Sequence, residues 1–537
     1  MTTWPTSSAT PAVAVLGTGS DVGKSLIVAG LCRILARAGV RVAPFKAQNM
    51  SLNSSVTPDG AEIGRAQALQ AEACRIPPHV DMNPILLKPE AEGRSQIVLS
   101  GRVYGKTDAE AYFTAGGINR LRPHVESAYR RLADRYEAVV IEGAGSAAEI
   151  NLREKDLVNW PVVAMADAAV LLVGDIDRGG VFAQLIGTLD LLAPEERARV
   201  RGLIVNKFRG DLTLFTDGVR MLEARTGIPV LGVVPYLKDL GLDQEDHLDL
   251  RSRPAPPFSR ERVNIAVVLL PHLSNFTDFN ALADERDVSL RYVATPEETM
   301  DADVIILPGT KTTLHDLEDL RARGWGARLL DHVDAGGELI GICGGYQMLG
   351  RRIVDPDAVE TGGAGTGFEL LEITTRLGRT KITERVTAKC LGLPGVEPLP
   401  IMGYQIHMGR TDRQGHAPCF RLDRSSEGAF REGRSGDEPD YELDGAMRED
   451  GLVWGTYLHG LFDQGEFRRA WLNHARGRKG LMPLDPACSA GVDQARHTEL
   501  DRWADHLQRH LQLDRLREFV MRKGMRHENH QGVYQDR

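Results

Sequence analysis

Val13-Ala14-Val15-Leu16-Gly17-Thr18-Gly19-Ser20-Asp21-Val22-Gly23-Lys24-Ser25 decides the fold. A short apolar run breaks into a glycine-rich turn. The turn opens into a stretch with apolar residues at Ile27, Leu31, Ile34 and Leu35, a helical period closed by Gly39. Strand, glycine turn and helix in that order bring backbone N–H groups onto phosphate oxygens, and the helix N-terminus adds positive potential. Lys24 is placed for the β- and γ-phosphates of a nucleotide, and Ser25 offers its hydroxyl to Mg²⁺. Thr18 stands where the strict G-x4-GK[ST] pattern has its first glycine, and Gly17 lies one residue earlier. The expected grip on the nucleotide is Thr18, Gly19, Gly23, Lys24 and Ser25.

Working outward, further apolar runs follow at 138–141, 169–173, 203–205 and 230–234, and each ends in a polar or glycine-rich turn. Continuous buried runs separated by helical segments read as an α/β fold with a parallel sheet. Ligands of such sheets sit at the carboxyl ends of the strands, so the strand-end residues are the ones to question. Glu142, ahead of Gly143-Ala144-Gly145, is expected to face the phosphates and help hold Mg²⁺. Glu62 is a second candidate for the metal. Lys46 is placed to neutralise a γ-phosphate or a carboxylate. Asn206 is placed to read a base, and the loop of Asp175 and Arg178 to hold substrate or phosphate. For each of these a capping or surface role is the plainer alternative.

Arg251-Ser252-Arg253-Pro254-Ala255-Pro256-Pro257-Phe258 reads as a linker. A second alternating series follows it, with apolar runs at 265–270, 304–307 and 339–342. The last runs into Gly341-Ile342-Cys343-Gly344-Gly345-Tyr346-Gln347, a cysteine on a tight turn between strand and helix. A thiol there is favoured as thiolate by the helix N-terminus and by a nearby histidine. The N–H of Gly344 faces an oxyanion, with a second donor from Pro308-Gly309-Thr310. Two histidines are candidates for the base: His459 first, then His407 in Gly403-Tyr404-Gln405-Ile406-His407.

The chain has 537 residues, 42% hydrophobic and 26% charged, so two to four domains with packed cores are expected. A net charge of -9 argues against nucleic acid or anionic membrane as the main partner. The six cysteines are scattered, without a CxxC pair, which gives neither a zinc ribbon nor a disulfide framework. There is no signal-peptide pattern and no apolar run of membrane-spanning length. A cytoplasmic enzyme acting on small molecules is the expectation, with its oligomeric state open. Ser425 to Tyr441, rich in Gly, Ser and charge, reads as a surface excursion, and the end of the chain trails off at His527-Glu528-Asn529-His530-Gln531.

The glycine loop resembles the dethiobiotin-synthetase type of P-loop, which also begins Gly-Thr. The Pro-Gly turn, the Gly-x-Cys-x-Gly elbow and the late His resemble a class I glutamine amidotransferase. Two positions after His459, where the common class I enzymes carry an acidic residue, stands Leu461. The third member is therefore missing or comes from elsewhere, a feature of the branch that relies on a Cys-His pair. ATPase first and glutaminase second, with the stretches 46–53, 173–183, 205–211 and 403–409, resembles the cobyric acid synthase family of vitamin B12 biosynthesis. That resemblance implies a P-loop parallel-sheet ATPase domain followed by a flavodoxin-like class I glutaminase α/β domain. It implies boundaries at 12–250 and 263–480, flanked by a flexible stretch 1–11, a linker 251–262 and a C-terminal extension 481–537. It implies ATP and Mg²⁺, ammonia released at Cys343, and amidation of the b, d, e and g carboxylates of adenosylcobyrinic acid a,c-diamide. The sister enzyme that amidates the a and c carboxylates is the nearest alternative. A P-loop ATPase whose second domain only binds a partner is the alternative from another class.

Overall fold

The computed structural model describes residues 10–515, apart from 91–92, 109–111, 113, 243–249, 251–255, 424–440 and 490. The last residues of the chain, the first part of the linker and nearly all of the surface excursion expected from Ser425 lie outside the described residues.

The first half is built on a six-stranded parallel sheet. Its strands are β1 (Ala12–Gly17), β2 (Val42–Phe45), β3 (Ala138–Glu142), β4 (Ala169–Asp175), β5 (Val200–Phe208) and β6 (Val230–Pro235). They lie in the order β6-β5-β4-β1-β3-β2. Their β-branched and leucine runs are buried because helices cover both faces. Helix α1 (Lys24–Arg37) follows β1 and ends where Gly39 takes a left-handed φ of 83°. The chain reverses direction across the sheet on either side of β1, so the glycine loop lies at the switch point.

The second half holds another six-stranded sheet. It comprises β7 (Val263–Val268), β8 (Val288–Val293), β9 (Val304–Leu307), β10 (Glu338–Ile342), β13 (Ala446–Met447) and β14 (Val453–Thr456). The order is β8-β7-β9-β10-β14-β13, parallel except for the short β13. Between β10 and β13 the chain makes a long antiparallel pair, β11 (Thr374–Cys390) and β12 (Pro400–Asp412). These two strands carry charged and exposed residues through much of their length, so no continuous apolar run announces them.

The two halves meet through buried charge. Glu62 is 1% exposed, and its carboxylate accepts from Lys88 at 2.7 Å, from Ser54 at 2.8 Å and from Lys381 of β11 at 2.5 Å. Beside this cluster Arg385 donates to the carbonyl of Val56, and Lys311 pairs with Glu90 at 2.7 Å. Near the end of the described chain, helix α2 (Val492–His510) returns to the first half and packs on α1. Arg33 holds Asp501 through two hydrogen bonds of 2.8 and 2.9 Å, and the Trp503 indole donates to the carbonyl of Leu26. Gly30 makes that approach possible, since a Cβ there would lie 2.3 Å from Leu507.

A buried carboxylate that loses one cation costs several kilocalories per mole. Lys381→Ala is therefore expected to lower unfolding stability by about 3 kcal/mol in urea titrations. A loss below about 0.5 kcal/mol, the worth of an exposed pair, would show that the contact does not hold the halves together.

Candidate active site

The loop from Gly17 to Gly23 is shaped by its own backbone. Gly23 has a φ of 95°, which only glycine adopts cheaply, and a Cβ there would strike the Asn206 amide at 2.4 Å. Lys24 donates to the carbonyls of Gly19 at 2.8 Å and Gly145 at 3.1 Å, so its ammonium spans the mouth of the loop. Thr18 bonds through its N–H to the carbonyl of Val173, which ties the loop to the end of β4.

Glu142 ends β3 beneath this mouth. One carboxylate oxygen accepts from both Ser25 and Lys46, each at 2.7 Å, and the other accepts from Gln70 and Gln67. Burial pushes the carboxyl up, but Lys46, Ser25 and Gln70 outweigh it and hold the group below the usual carboxylate range. Ser25 and Glu142 thus present hard oxygens side by side, a donor set that suits Mg²⁺. Glu62 does not join them. Its oxygens accept from two ammonium groups, those of Lys88 and Lys381, and from the hydroxyl of Ser54.

Asp175 and Arg178 flank the loop on the other side. Asp175 is buried and pairs with Lys207 at 3.0 Å, while exposed Arg178 reaches Asp21 at 3.3 Å. Asn206 donates to the carbonyl of Val22 at 2.8 Å. That bond uses one of the two amide N–H donors to brace the loop and leaves the other, with the side-chain oxygen, to meet a base. Next to Gly145 and Ser146 opens a cavity of about 230 Å³, lined also by Gln48, Arg153, Lys155 and Trp160.

In the second half β10 delivers Cys343 at φ 53° and ψ −108°, a conformation rare for a residue with a Cβ and of the strained kind found at reacting groups. Gly345 is required beside it, since a Cβ there would sit 1.9 Å from the carbonyl of Leu307. Gly344 lies directly on the Thr310 turn, its virtual Cβ 3.1 Å from the Thr310 nitrogen. Gly309 stands against His459, 3.4 Å from virtual Cβ to the imidazole Cε1. The elbow, the oxyanion turn and the histidine are thus brought together. The turn is braced from behind by Asp316, which accepts from the hydroxyl of Thr310 and from the backbone and ring of His272. His272, His315 and Asp316 place ligand atoms within 4.8 Å of one another, the one such group among the described residues.

His459 is 1% exposed and stacks on Tyr404. Its Nδ1 hydrogen-bonds Asp278 at 2.6 Å, and the N–H of Gly460 donates to the same carboxylate at 3.1 Å. Burial favours a neutral ring, but Asp278, joined by the adjacent Cys343 thiol, overrides it and pushes His459 up to about 10. His407 is turned to other work: Nδ1 meets the carbonyl of Gly409 at 2.8 Å, and the ring lies flat on Tyr457. With Leu461 two positions after His459, the sequence leaves the third member either missing or supplied from elsewhere. Asp278 supplies it from the turn after β7, 181 residues earlier in the chain. Its only local signal was a polar Ser274-Asn275-Phe276-Thr277-Asp278 turn at a strand end.

Residues 13–250 match a family described as the CobQ/CobB/MinD/ParA nucleotide binding domain, and residues 264–467 match the CobB/CobQ-like glutamine amidotransferase domain. Among curated relatives, the cobyric acid synthase of Klebsiella pneumoniae (strain 342) is 49% identical over 515 residues, covering 94% of this chain and 97% of its own. Those of Citrobacter koseri and Salmonella typhi are 48% and 47% identical over 513 residues, each covering 94% of this chain and 98% of its own.

Asp278→Asn removes the charge that holds the proton on His459. Glutamine hydrolysis is expected to fall roughly 10- to 100-fold, the scale of a lost proton-transfer partner. The alkaline limb of its pH profile is expected to move to lower pH, since the imidazolium then loses its proton sooner. A profile that keeps its limb would show that Asp278 does not set the charge of His459.

Proposed function

The chain belongs to the cobyric acid synthase family and is a glutamine-dependent amidating enzyme of cobalamin biosynthesis; from that premise we propose that it converts the b, d, e and g carboxylates of adenosylcobyrinic acid a,c-diamide to amides, with one ATP and one glutamine consumed for each. The observation that carries the reading is the coexistence, in one chain, of a phosphate loop with a paired Glu142 and an elbow cysteine beside a histidine charged by Asp278.

A carboxylate is a poor acylating agent because its leaving group is oxide. In the first half-reaction the corrinoid carboxylate attacks the γ-phosphorus, the bond to the β-phosphate oxygen breaks, and ADP leaves. Lys24 and the loop N–H groups align the phosphates and spread the charge that develops between them. Lys46 screens the approach of the acceptor carboxylate to the γ-phosphate. Ser25 and Glu142 would hold Mg²⁺, which would supply further neutralisation of the phosphate oxygens. Ammonia then attacks the acyl carbon of the acyl phosphate, and inorganic phosphate leaves.

In the second half-reaction the Cys343 thiolate attacks the glutamine carboxamide. The oxyanion meets the N–H of Gly344 and the Gly309 turn. His459 gives its proton to the departing nitrogen, and ammonia leaves a glutamyl thioester. Water, losing a proton to His459, then releases glutamate and regenerates the thiol. Ammonia is useful only while unprotonated, so a path shielded from solvent is part of the proposal. Among the described residues no helix is long and apolar enough to cross a membrane.

Mass spectrometry of the corrinoid, incubated with ATP, Mg²⁺ and glutamine, tests this directly. Four successive losses of about one mass unit are expected, each the exchange of a carboxyl O–H for N–H₂ after acyl activation. Conversion of cobyrinic acid in place of its a,c-diamide would move the chain to the sister reaction. Cys343→Ala is expected to lower glutamine-dependent amidation by about 10³-fold or more while ammonia still supports it; Glu142→Gln is expected to lose both.

A further inference from the structure

The turn that carries Asp278 is not held by its own half of the chain alone. It runs from Ser274 to Phe279, starting with Asn275 at φ 53° and ψ 41°, a left-handed conformation that asparagine tolerates better than most residues. Two hydrogen bonds fasten it to the first half. The Asn275 side-chain oxygen accepts from the N–H of Ser54 at 3.0 Å, and the Asn53 side-chain oxygen accepts from the N–H of Phe276 at 3.2 Å. The arrangement is reciprocal, each asparagine satisfying the backbone of the opposite partner. Asn53 and Asn275 are each 3% exposed and Ser54 1%, so no solvent is at hand to replace either bond.

Each end of this clasp leads to a reacting centre. On one side the turn places Asp278 on His459, and Ser274 donates to the carbonyl of Gly309 at 2.9 Å, so the same few residues set both the base and the oxyanion turn. On the other side Asn53 ends the segment that begins at Lys46. That segment is fixed to Glu142 through Lys46, and through Asn49 and Gln67. Ser54 in turn donates to Glu62, within the cluster that Lys381 completes.

We propose that Asn53 and Asn275 are positioning residues for glutamine hydrolysis, locking the Asp278 turn to the segment that carries Lys46, so that the glutaminase is complete only against the docked first half. They act through Asp278 and His459. The inference rests on the reading of Cys343, His459 and Asp278 as a glutaminase. Its consequence is that nitrogen release depends on contacts made by the half that consumes the nitrogen.

The test uses the full-length protein and the variants Asn275→Gly and Asn53→Ala. Glycine keeps the left-handed backbone and deletes only the side chain, and the second variant breaks the clasp from the other side. Each is expected to lower kcat for glutamine hydrolysis by about 10-fold, the lower end of what a lost proton-transfer geometry costs. The KM for glutamine and the ammonia-dependent amidation rate should stay within about 2-fold, because the clasp is proposed to act only through the Asp278–His459 pair. In an Asp278→Asn background the same substitutions should cost nothing more, since the clasp acts through that carboxylate. Losses that multiply in the double variant, an equal fall in ammonia-dependent amidation, or unchanged glutamine hydrolysis would each overturn the proposal. Cys343→Ala, run in parallel, separates the two levels. If it still hydrolyses glutamine, the reading of the site itself fails. If it is inactive while Asn275→Gly is unaffected, only the clasp fails.

Discussion

A carboxylate taken out of water must find cations, and Glu62 finds one of its two in the other half of the chain. Much of the rest depends on that pairing. Lys381 reaches Glu62 only if the β11–β12 pair lies across the first half, and the burial of both charges is tolerable only in that docking. Burial pushes Lys381 down to about 8 even though Glu62 draws its charge back up. The carboxylate, despite full burial, is held well below the usual range by Lys381 and Lys88. With the halves in that register, Ser54 lies beside Asn275 and Asn53 beside Phe276, on the turn whose Asp278 meets His459.

Both reacting centres use the same device on a smaller scale. Glu142 is kept ionised in a buried place by Lys46, with Ser25 and Gln70 helping. His459 is kept protonated in an equally buried place by Asp278. In the first case a carboxylate is prepared for hard cations and phosphate; in the second an imidazolium is prepared beside a thiol. Neither charge would persist alone in such surroundings. Lys46 holds the Glu142 carboxyl below its usual range, and Asp278 holds the His459 imidazole above its own.

The parts that were legible in the sequence are those encoded locally. The glycine loop, the strands around it and the cysteine elbow each occupy a few consecutive residues whose types follow from backbone geometry, such as Gly23 at its left-handed φ or Gly345 against Leu307. His459 stood out because it closes a strand-end turn. What stayed hidden was set by long-range partners. Asp278 meets His459 across 181 residues, and Lys381 meets Glu62 across 319. Nothing at either position marks the contact, so neither partner was legible from the local residues. The β11–β12 pair was missed because its exposed, charged strands lack an apolar run. The docking of helix α2 was hidden in the same way. Its buried face of Leu500, Trp503, Ala504 and Leu507 belongs to a core whose other wall is α1, at the opposite end of the chain.

The central claim is that the two halves hand nitrogen from one to the other within a single docked structure. Amide-¹⁵N glutamine, supplied with a large excess of unlabelled ammonium, measures this most directly. Mass spectrometry of the amidated corrinoid should then show ¹⁵N in nearly every new amide. Label diluted to the isotopic composition of the bulk ammonium would contradict the claim, because nitrogen would be leaving the protein before it is used.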